Sequence, residues 1–438
     1  MNSFKKTYDL IVVGAGAAGI LAAIRAAQEG QKVLLLEKLE RIGAKLKATG
    51  GGRCNLTNTL DNESFMERFG REGRFMSAAL EQLDSRALRQ FFKDIGVESH
   101  APDGFHVFPS THDSSTIIDA LLAQIRSLDI ELLCNRRVKG IEHDGRSVSG
   151  VCCFAKEDDR DVLEHFVASN VIIATGGMGY PVLGAEGDGY ELAKETGHRV
   201  TELYPAMTPL QCKEDWVARC RADTLPKVQL IVDLKKYRKL RATGDLIFTK
   251  SGIRGPVVLD FSREITPLLS KMDEVPLKIS LTGGLNEEQI RKRIKMHLRY
   301  SPHTTTLDLL RTLLPDSVAR ALCSLAGADP ELGISKQAGV SRDRLYKLLA
   351  WTPLTITGHE GFRKAMITHG GVSLKDIDPA TMQSRRIAGL YFCGEVLNLD
   401  GPCGGYNLQW SFASGYLAGS LKGANYRVDF NQDKNSLI

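Results

Sequence analysis

Near the amino terminus, a glycine-rich turn joins a predicted strand to a predicted helix and leaves few folds open to the chain. Residues 9–13 form an apolar run rich in β-branched side chains, as in a buried parallel strand. The motif Gly14-Ala-Gly16-Ala-Ala-Gly19 follows at once and opens an alanine-rich helical segment. A second apolar run then ends in Glu37. This order predicts the first βαβ unit of a Rossmann-like dinucleotide-binding domain in an α/β protein.

Each part of this unit has a physical role. Gly14 permits the tight turn, Gly16 lets the backbone approach a pyrophosphate, and Gly19 lets the helix pack on the strand. The helix N-terminus at Ala17 offers N–H groups and partial positive charge to phosphates. Glu37 lies close to the ~20-residue spacing expected of a carboxylate that accepts the ribose hydroxyls. The alternative is a glycine-rich turn in an unrelated α/β protein.

The motif does not distinguish FAD from NAD, but the segment at residues 43–58 favours FAD. Three consecutive glycines ending in Gly52 stand there beside Arg53 and Asn55. They predict a backbone-rich loop that can wrap a flat polar ligand, which a plain NAD-binding unit does not need. An ordinary surface loop is the alternative, since Gly and Asn are also common in turns.

Two later segments support the same cofactor. Residues 171–177 are a predicted buried strand that ends in Thr175-Gly176-Gly177. A second strand reaches Gly394, and a loop through Gly404 and Gly405 then opens a helix that extends to about Lys422. Its N-terminus would face the flavin pyrimidine and stabilise the negative charge of reduced flavin.

With these motifs the chain resembles the BaiN/RdsA family of NAD(P)/FAD-dependent oxidoreductases, within the glutathione-reductase-like flavoproteins. The resemblance covers essentially the whole chain. It is carried by Gly14 to Gly19, Gly51-Gly-Arg-Cys-Asn55, Ala174-Thr-Gly-Gly177, Thr368-His-Gly-Gly-Val372, and Gly394-Glu395 through Gly405-Tyr-Asn-Leu-Gln-Trp410.

The resemblance implies roles for individual residues. Glu37 and Lys38 would hold the adenosine end with Val138 at the adenine, Arg53 and Asn55 would line the flavin, and Glu395, Asn407 and Leu408 would flank its ribityl chain and ring. The predicted cofactor-binding residues are Gly14, Gly16, Ala17, Gly19, Glu37, Lys38, Gly52, Arg53, Asn55, Val138, Thr175, Gly176, Gly394, Glu395, Gly405, Asn407 and Leu408.

One segment departs from the family pattern. The family commonly has His-x-Gly-x-Ser-Gly-Pro after Phe-Thr, whereas this chain has Lys250 in place of the His and Arg254 in place of the Ser. No role of that histidine is carried over to this chain.

The Rossmann pattern stops in the middle of the chain. Residues 228–234, 246–249, 257–261 and 277–281 are predicted strands, and helical periodicity begins after Asn286, a predicted N-cap. We therefore predict a glutathione-reductase-type FAD-binding domain in two parts, residues 1–196 and 362–438. An inserted β-rich domain (197–284) and an inserted helical subdomain (285–361) separate them.

Charge and cysteine content narrow the function further. The net charge of +5 excludes a generally polycationic nucleic-acid coat, although residues 191–360 hold 27 Lys and Arg against 20 Asp and Glu. Basic runs at residues 235–241 and 291–300 predict a surface for ribosomal RNA, with solvated basic faces as the alternative. Nine cysteines without a C-x-x-C pair argue against a dithiol centre or a zinc ribbon, and we predict no metal site. No apolar run is long enough for a membrane helix, and we expect a cytoplasmic protein.

The chemistry follows from the resemblance. Only one dinucleotide fingerprint is visible, so NAD(P)H would dock transiently on the flavin, or another protein would supply electrons. Reduction of a C=C bond also needs a proton, for which Cys54, Cys403 and His369 are candidates, with packing as the alternative. Family members are linked to uridine reduction in ribosomal RNA and to steroid enone reduction. The first hypothesis is therefore reduction of uridine in 23S rRNA. A small-molecule ene-reductase or dehydrogenase and a non-catalytic flavin-binding module are the alternatives.

Overall fold

The computed structural model describes residues 6–157 and 160–422, which separate into two compact units. The first unit contains the chain up to Leu203 and from Ile367 onward, and the second is Tyr204–Met366. The strands, in chain order, are β1 (Thr7–Val13), β2 (Val33–Leu36), β3 (Thr57–Asn58), β4 (Ser99–His100), β5 (His106–Pro109), β6 (Glu131–Leu133), β7 (Arg136–His143), β8 (Val148–Glu157), β9 (Arg160–Ile173), β10 (Tyr204–Ala206), β11 (Leu210–Cys212), β12 (Thr224–Val232), β13 (Arg241–Phe248), β14 (Gly252–Arg254), β15 (Val275–Ser280), β16 (Thr352–His359), β17 (Ile367–His369) and β18 (Leu390–Phe392). The helices are α1 (Ala17–Gln28), α2 (Ala44–Ala48), α3 (Asn62–Glu67), α4 (Ser77–Gln82), α5 (Ser85–Asp94), α6 (Ser114–Ser127), α7 (Asp188–Glu195), α8 (Trp216–Arg219), α9 (Pro256–Leu269), α10 (Glu287–Tyr300), α11 (Thr306–Arg311), α12 (Asp316–Ala326), α13 (Gly339–Ala350) and α14 (Tyr406–Gly419).

The first unit is built on a largely parallel sheet. Strands β6, β2, β1 and β9 lie side by side in that order and run parallel, and β18 pairs in parallel with the last residues of β9. Strands β7 and β8 extend the sheet as an antiparallel layer along the earlier part of β9. All four residues of β2 are buried, as expected of a parallel strand covered on both faces. The predicted Rossmann-like α/β fold is confirmed.

Helices α1 and α14 pack against each other through small residues. A Cβ atom added to Gly415 would lie 2.1 Å from the Ala18 carbonyl oxygen, and one added to Gly419 would lie 2.3 Å from that of Ala22. The backbones of the two helices therefore approach each other closely at these positions. This contact fixes the start of α14 relative to the glycine-rich turn before α1.

The second unit contains a closed six-stranded barrel with the strand order β11-β14-β13-β12-β15-β16. Its last strand, β16, pairs with β15 on one side and β11 on the other. Helices α10 to α13 lie in the sequence between β15 and β16. They are therefore inserted into the barrel, whereas the sequence pattern predicts a helical subdomain after a finished β-domain.

The strand predicted at residues 257–261 is wrong, because this segment begins α9. Pro256 occupies the first turn of the helix, where its missing N–H costs nothing. Val257, Phe261 and Ile265 are buried at intervals of one helical turn. A short apolar run fits either a buried strand or a buried helix, and the length of the burial pattern decides here for the helix.

Among residues 6–157 and 160–422, no helix combines the length and apolar character that a bilayer crossing needs.

Candidate functional site

The three motif glycines before and within α1 have different surroundings. A Cβ atom on Gly19 would lie 1.8 Å from the Gly14 carbonyl oxygen, and one on Gly14 would lie 2.7 Å from that of Ala174. Next to Gly16, in contrast, a Cβ would meet no atom of the protein within 4 Å. Gly14 and Gly19 are thus required by internal packing, whereas Gly16 borders open space that a ligand can approach.

The N-terminus of α1 is available to an anion. The helix begins at Ala17, no side chain caps it, and its first turn contains no acidic residue. Glu37, at the end of β2, accepts hydrogen bonds from the backbone N–H of Ala15 through Oε2 (2.9 Å) and of Leu39 through Oε1 (2.9 Å). The carboxylate is therefore held beside the turn. This arrangement suits a phosphate at the helix end with a ribose next to it.

Lys38 and Val138, the other residues predicted at the adenosine end, lie beside an ion-pair network that the sequence did not predict. Lys38 Nζ contacts Asp188 Oδ2 (2.6 Å) and Glu186 Oε2 (3.0 Å). Arg137, which precedes the buried Val138, donates to the other oxygen of Asp188. Asp188 therefore links the start of α7, where it lies, to the segment after β2 and to the start of β7. Any contact of Lys38 with an adenosine stays a prediction.

We expect Asp188→Asn to destabilise the protein by about 1–2 kcal/mol at neutral pH, because two cations lose a partly buried partner. Burial raises the pKa of Asp188, but hydrogen bonds from Lys38 and Arg137 outweigh burial and hold that pKa below its usual value. A carboxyl group whose pKa is lower in the folded state stabilises the fold above its unfolded pKa of about 3.9. This stabilisation is lost as the pH falls through the folded pKa.

Urea unfolding at several pH values checks this prediction. The difference between the wild type and Asp188→Asn should be largest near neutral pH and should shrink below about pH 3.9. Glu186→Gln is the matched control, because its side chain is 43% exposed against 19% for Asp188. A difference that does not change with pH would contradict the role given to the ionised carboxylate.

The glycine loop after α2 and the loop before α14 are in contact. With its amide oriented so that oxygen and nitrogen both find partners, the Asn55 side chain donates to the carbonyl oxygens of Thr57 (3.0 Å) and Val107 (3.2 Å) and accepts from the Gly405 N–H (3.1 Å). The Asn58 side chain donates to the Gly404 carbonyl oxygen (3.0 Å). Gly405 has a φ of 83°, and a Cβ there would lie 2.5 Å from the Thr57 carbonyl oxygen. The structure thus brings Asn55 and Gly405 together across 350 positions, with Asn55 joining the two loops.

Other predicted flavin residues lie on the same two loops. Gly52 has a φ of 87° and borders open space, and the exposed Arg53 lies with its guanidinium 5.1 Å from the centre of the Phe108 ring. Asn407 accepts from the Gly401 N–H and donates to the Gly401 carbonyl oxygen, both at 2.8 Å. Leu408 is half-buried and packs against the core of the unit. Asn407 therefore shapes the loop from which α14 starts.

The turn after β9 meets the turn after β18. A Cβ on Gly14 would lie 3.1 Å from the Thr175 Cα, and Gly176 follows with a φ of 73°. A Cβ on Gly394 would lie 2.8 Å from the Ala18 Cβ, so Gly394 adjoins the first turn of α1. These predicted residues therefore surround the glycine motif.

Glu395 is fixed by neighbours that the motifs do not reveal. Its Oε2 contacts Lys45 Nζ (2.7 Å), and its Oε1 accepts from the Thr368 N–H (3.0 Å). The Thr368 hydroxyl in turn accepts from the Met178 N–H (2.7 Å). Four segments of the chain thus meet at Glu395.

The three proton-donor candidates differ in exposure. His369 Nδ1 lies 2.8 Å from Asp400 Oδ1, the His369 side chain is 33% exposed, and that of Asp400 is 5% exposed. Cys54 is fully buried with a φ of 59°, and burial raises the pKa of its thiol to about 12. Cys403 is exposed on the loop that Asp400 begins. His369 is therefore oriented by a buried carboxylate, and Cys54 has the surroundings of a packing residue.

Alkylation with iodoacetamide at about pH 8 should modify Cys403 and leave Cys54 unmodified in the native protein. Burial raises the pKa of the Cys54 thiol well above the pH of the labelling, so little thiolate forms there, and burial also blocks the reagent. Peptide mass spectrometry of native and unfolded samples measures both sites. Rapid native labelling of Cys54 would contradict its burial.

Within the described part of the chain, no group of three or more His, Cys, Asp or Glu side chains is placed to hold a metal ion.

Comparisons with known proteins agree with this geometry. The family described as HI0933-like protein Rossmann domain matches residues 8–421. A 3-dehydro-bile acid delta(4,6)-reductase of Clostridium scindens is 31% identical over 93% of this chain and 97% of its own length. A ribosomal RNA dihydrouridine synthase of Haemophilus influenzae is 28% identical over 93% of this chain and 96% of its own. The solved 3-ketosteroid delta1-dehydrogenase of Sterolibacterium denitrificans shares the fold with a TM-score of 0.53 at 13% identity, covering 94% of this chain and 99% of that chain.

Proposed function

The chain belongs to the HI0933-like family of FAD-dependent oxidoreductases, and on that premise we propose that it reduces an electron-poor C=C bond with electrons from NAD(P)H. Membership confirms the resemblance that the sequence motifs indicated, and it sets aside the non-catalytic flavin-binding module. The observation that carries the proposal is the contact between the Asn55 loop and the start of α14, in the same unit as the open glycine turn at Gly16.

The residues present fit FAD. The open side of Gly16 and the uncapped N-terminus of α1 would hold the pyrophosphate, and Glu37 would hold the adenosine ribose. The loop at Gly52 and Arg53 and the N-terminus of α14 would enclose the flavin. The chemistry that FAD supplies when bound is hydride transfer.

The protein groups would orient the reactants and supply a proton. The first turn of α14 has no acidic residue and no side-chain cap, so its partial positive charge can stabilise negative charge on the flavin pyrimidine. His369, held through Nδ1 by Asp400, is the proton donor that the geometry favours. Its Nε2 lies on the opposite side of the ring and is the atom that would hold the proton for the substrate carbon.

Electron supply by NAD(P)H is tested by anaerobic addition of NADH and NADPH to the purified flavoprotein. We expect one of them to bleach the flavin absorbance within the turnover time of the enzyme. If neither bleaches the flavin while dithionite does, the electron donor is another molecule, and this part of the proposal fails.

We infer uridine in 23S rRNA as the first-choice substrate. The support is the full-length similarity to the dihydrouridine synthase, together with the basic segments of the second unit. Mapping of dihydrouridine in 23S rRNA from cells with and without the gene tests this inference. Loss of one dihydrouridine, restored by the wild-type gene, is expected, and unchanged dihydrouridine would exclude this RNA as the substrate.

The second candidate is reduction of a free enone, which the similarity to the bile acid reductase favours. It predicts NAD(P)H-dependent turnover of small steroid enones. It also predicts that reversing the charge of the basic residues near Arg291 leaves that turnover unchanged, whereas an RNA substrate requires a loss of activity.

A further inference from the structure

Helix α10 buries one face in the second unit and exposes the opposite face. Its N-terminus is closed by a capping box, in which Asn286 accepts from the Gln289 N–H and the Gln289 side chain accepts from the Asn286 N–H. Ile290 and Ile294 are buried, and Leu298 packs against the core of the second unit. The apolar stripe of the helix is therefore used inside this unit.

The outer face carries basic residues and two large apolar side chains. At about 100° per residue, the six exposed residues from Lys292 onward span an arc of about 160°, in which the exposed Glu288 and Gln289 of the first turn also lie. Within it Met296 is 57% exposed and Tyr300 is 88% exposed. From Lys292 onward the exposed residues are Lys292, Arg293, Lys295, Met296, Arg299 and Tyr300.

Four cations of this arc lack acidic partners in the part of the chain that the structure describes. Arg291, at the edge of the arc, pairs with Asp343 (3.0 Å) and lies over the Tyr346 ring (4.0 Å to its centre). No such pair involves Lys292, Arg293, Lys295 or Arg299 among residues 6–157 and 160–422. The helix dipole favours bases near the end of a helix, but it gives no reason for an exposed Tyr among them.

We propose that this outer face of α10 binds single-stranded RNA, with the four cations on phosphates and the Tyr300 ring stacked on an unpaired base. Phosphates supply the charge that the cations lack, and every base offers a face on which an aromatic ring can stack. Single strands present unstacked bases, which RNA helices do not. The inference deepens the proposed function and rests on it only for the identity of the RNA.

A lipid surface fits this face less well. An interfacial helix binds a bilayer by burying a broad apolar face. In α10 that face is already packed within the unit, so only Met296 and Tyr300 could enter the lipid. Anionic vesicles therefore serve as a competing ligand in the test.

The test measures binding of the complete holoprotein to a fluorescent oligouridine of about 12 nucleotides by anisotropy over a salt series. The triple variant Lys292→Glu, Lys295→Glu and Arg299→Glu should bind at least about tenfold more weakly, and the slope of log K against log salt should fall by about 2. Tyr300→Ala should weaken binding about tenfold with an unchanged slope. The matched control carries Lys271→Glu, Lys336→Glu and Lys364→Glu, an equal charge change at exposed lysines outside both basic runs, and should bind within about threefold of wild type.

The outcomes separate this inference from the proposed function. Equal weakening by the control triple variant, unchanged binding by Tyr300→Ala, or loss of binding only to phosphatidylglycerol vesicles would each overturn it. Flavin bleaching by NAD(P)H should be unchanged in every variant, which also shows that each is folded. If dihydrouridine mapping finds no product while the α10 variants still lose oligouridine binding, the RNA surface stands and the proposed substrate fails.

Discussion

A Gly16→Val protein is expected to be folded but colourless. The φ of Gly16 is −87°, which any residue can adopt, and its Cβ position borders no protein atom within 4 Å. The added side chain would instead occupy the space through which a pyrophosphate reaches the backbone. We expect the affinity for FAD to fall by at least about 100-fold, or about 2.7 kcal/mol. Flavin absorbance and equilibrium dialysis measure the loss, and thermal unfolding of the apoprotein checks the fold.

Gly19→Ala is the informative counterpart. Its Cβ would lie 1.8 Å from the Gly14 carbonyl oxygen, so the apoprotein itself should be strongly destabilised. The two variants thus separate a glycine required by the ligand from one required by packing. FAD binding of normal affinity in Gly16→Val would show that the pyrophosphate does not lie at this turn.

His369→Gln should lower kcat for C=C reduction by about 10²- to 10⁴-fold, the usual contribution of a positioned general acid. Gln keeps a hydrogen-bonding side chain near Asp400 but cannot supply a proton. Reduction of the flavin by NAD(P)H needs no such proton donor and should be unchanged. Stopped-flow measurement of the two half-reactions distinguishes these effects.

The cysteines provide the controls for this prediction. Cys403→Ser and Cys54→Ser should each change kcat by less than about threefold, because a small hydroxyl replaces a thiol that serves packing or loop structure. A large loss in Cys403→Ser together with normal kcat in His369→Gln would instead make Cys403 the proton donor.

Sequence patterns over a few residues were sufficient to predict the first βαβ segment of the fold. Strand β1, the glycine turn, α1 and β2 follow one another along the chain and also lie next to one another in the fold. Hydrophobic periodicity, the turn glycines and Glu37 therefore all report on contacts between residues that are close in sequence. The segment at residues 257–261 shows the limit. Its apolar run is too short to fix a period, and the helical pattern is clear only when the buried positions are followed on to Ile265 and Leu268.

The candidate site shows the same limit. Gly16 and Gly405 could be predicted as cofactor contacts because each belongs to a motif of a few adjacent residues, and that role stays a prediction. Asp400, Lys45 and Asp188 could not, since each acts on a residue distant in the chain and carboxylates and lysines are common on any surface. Asn55 was recognised from its motif, but its contacts with Gly405 depend on folding of the complete first unit.

The backbone contact of α1 with α14 also sets a length. Ala18 lies opposite Gly415 and Ala22 opposite Gly419, so the two helices run in the same direction. From that alignment, α14 begins about eight residues, or about 12 Å, ahead of α1. The two helix N-termini, each with partial positive charge, are therefore held about 12 Å apart along the helix axes. FMN has the same span from phosphate to pyrimidine as the flavin half of FAD, so we expect these two helix ends to accept either molecule and the selection of FAD to depend on the adenosine side at Glu37.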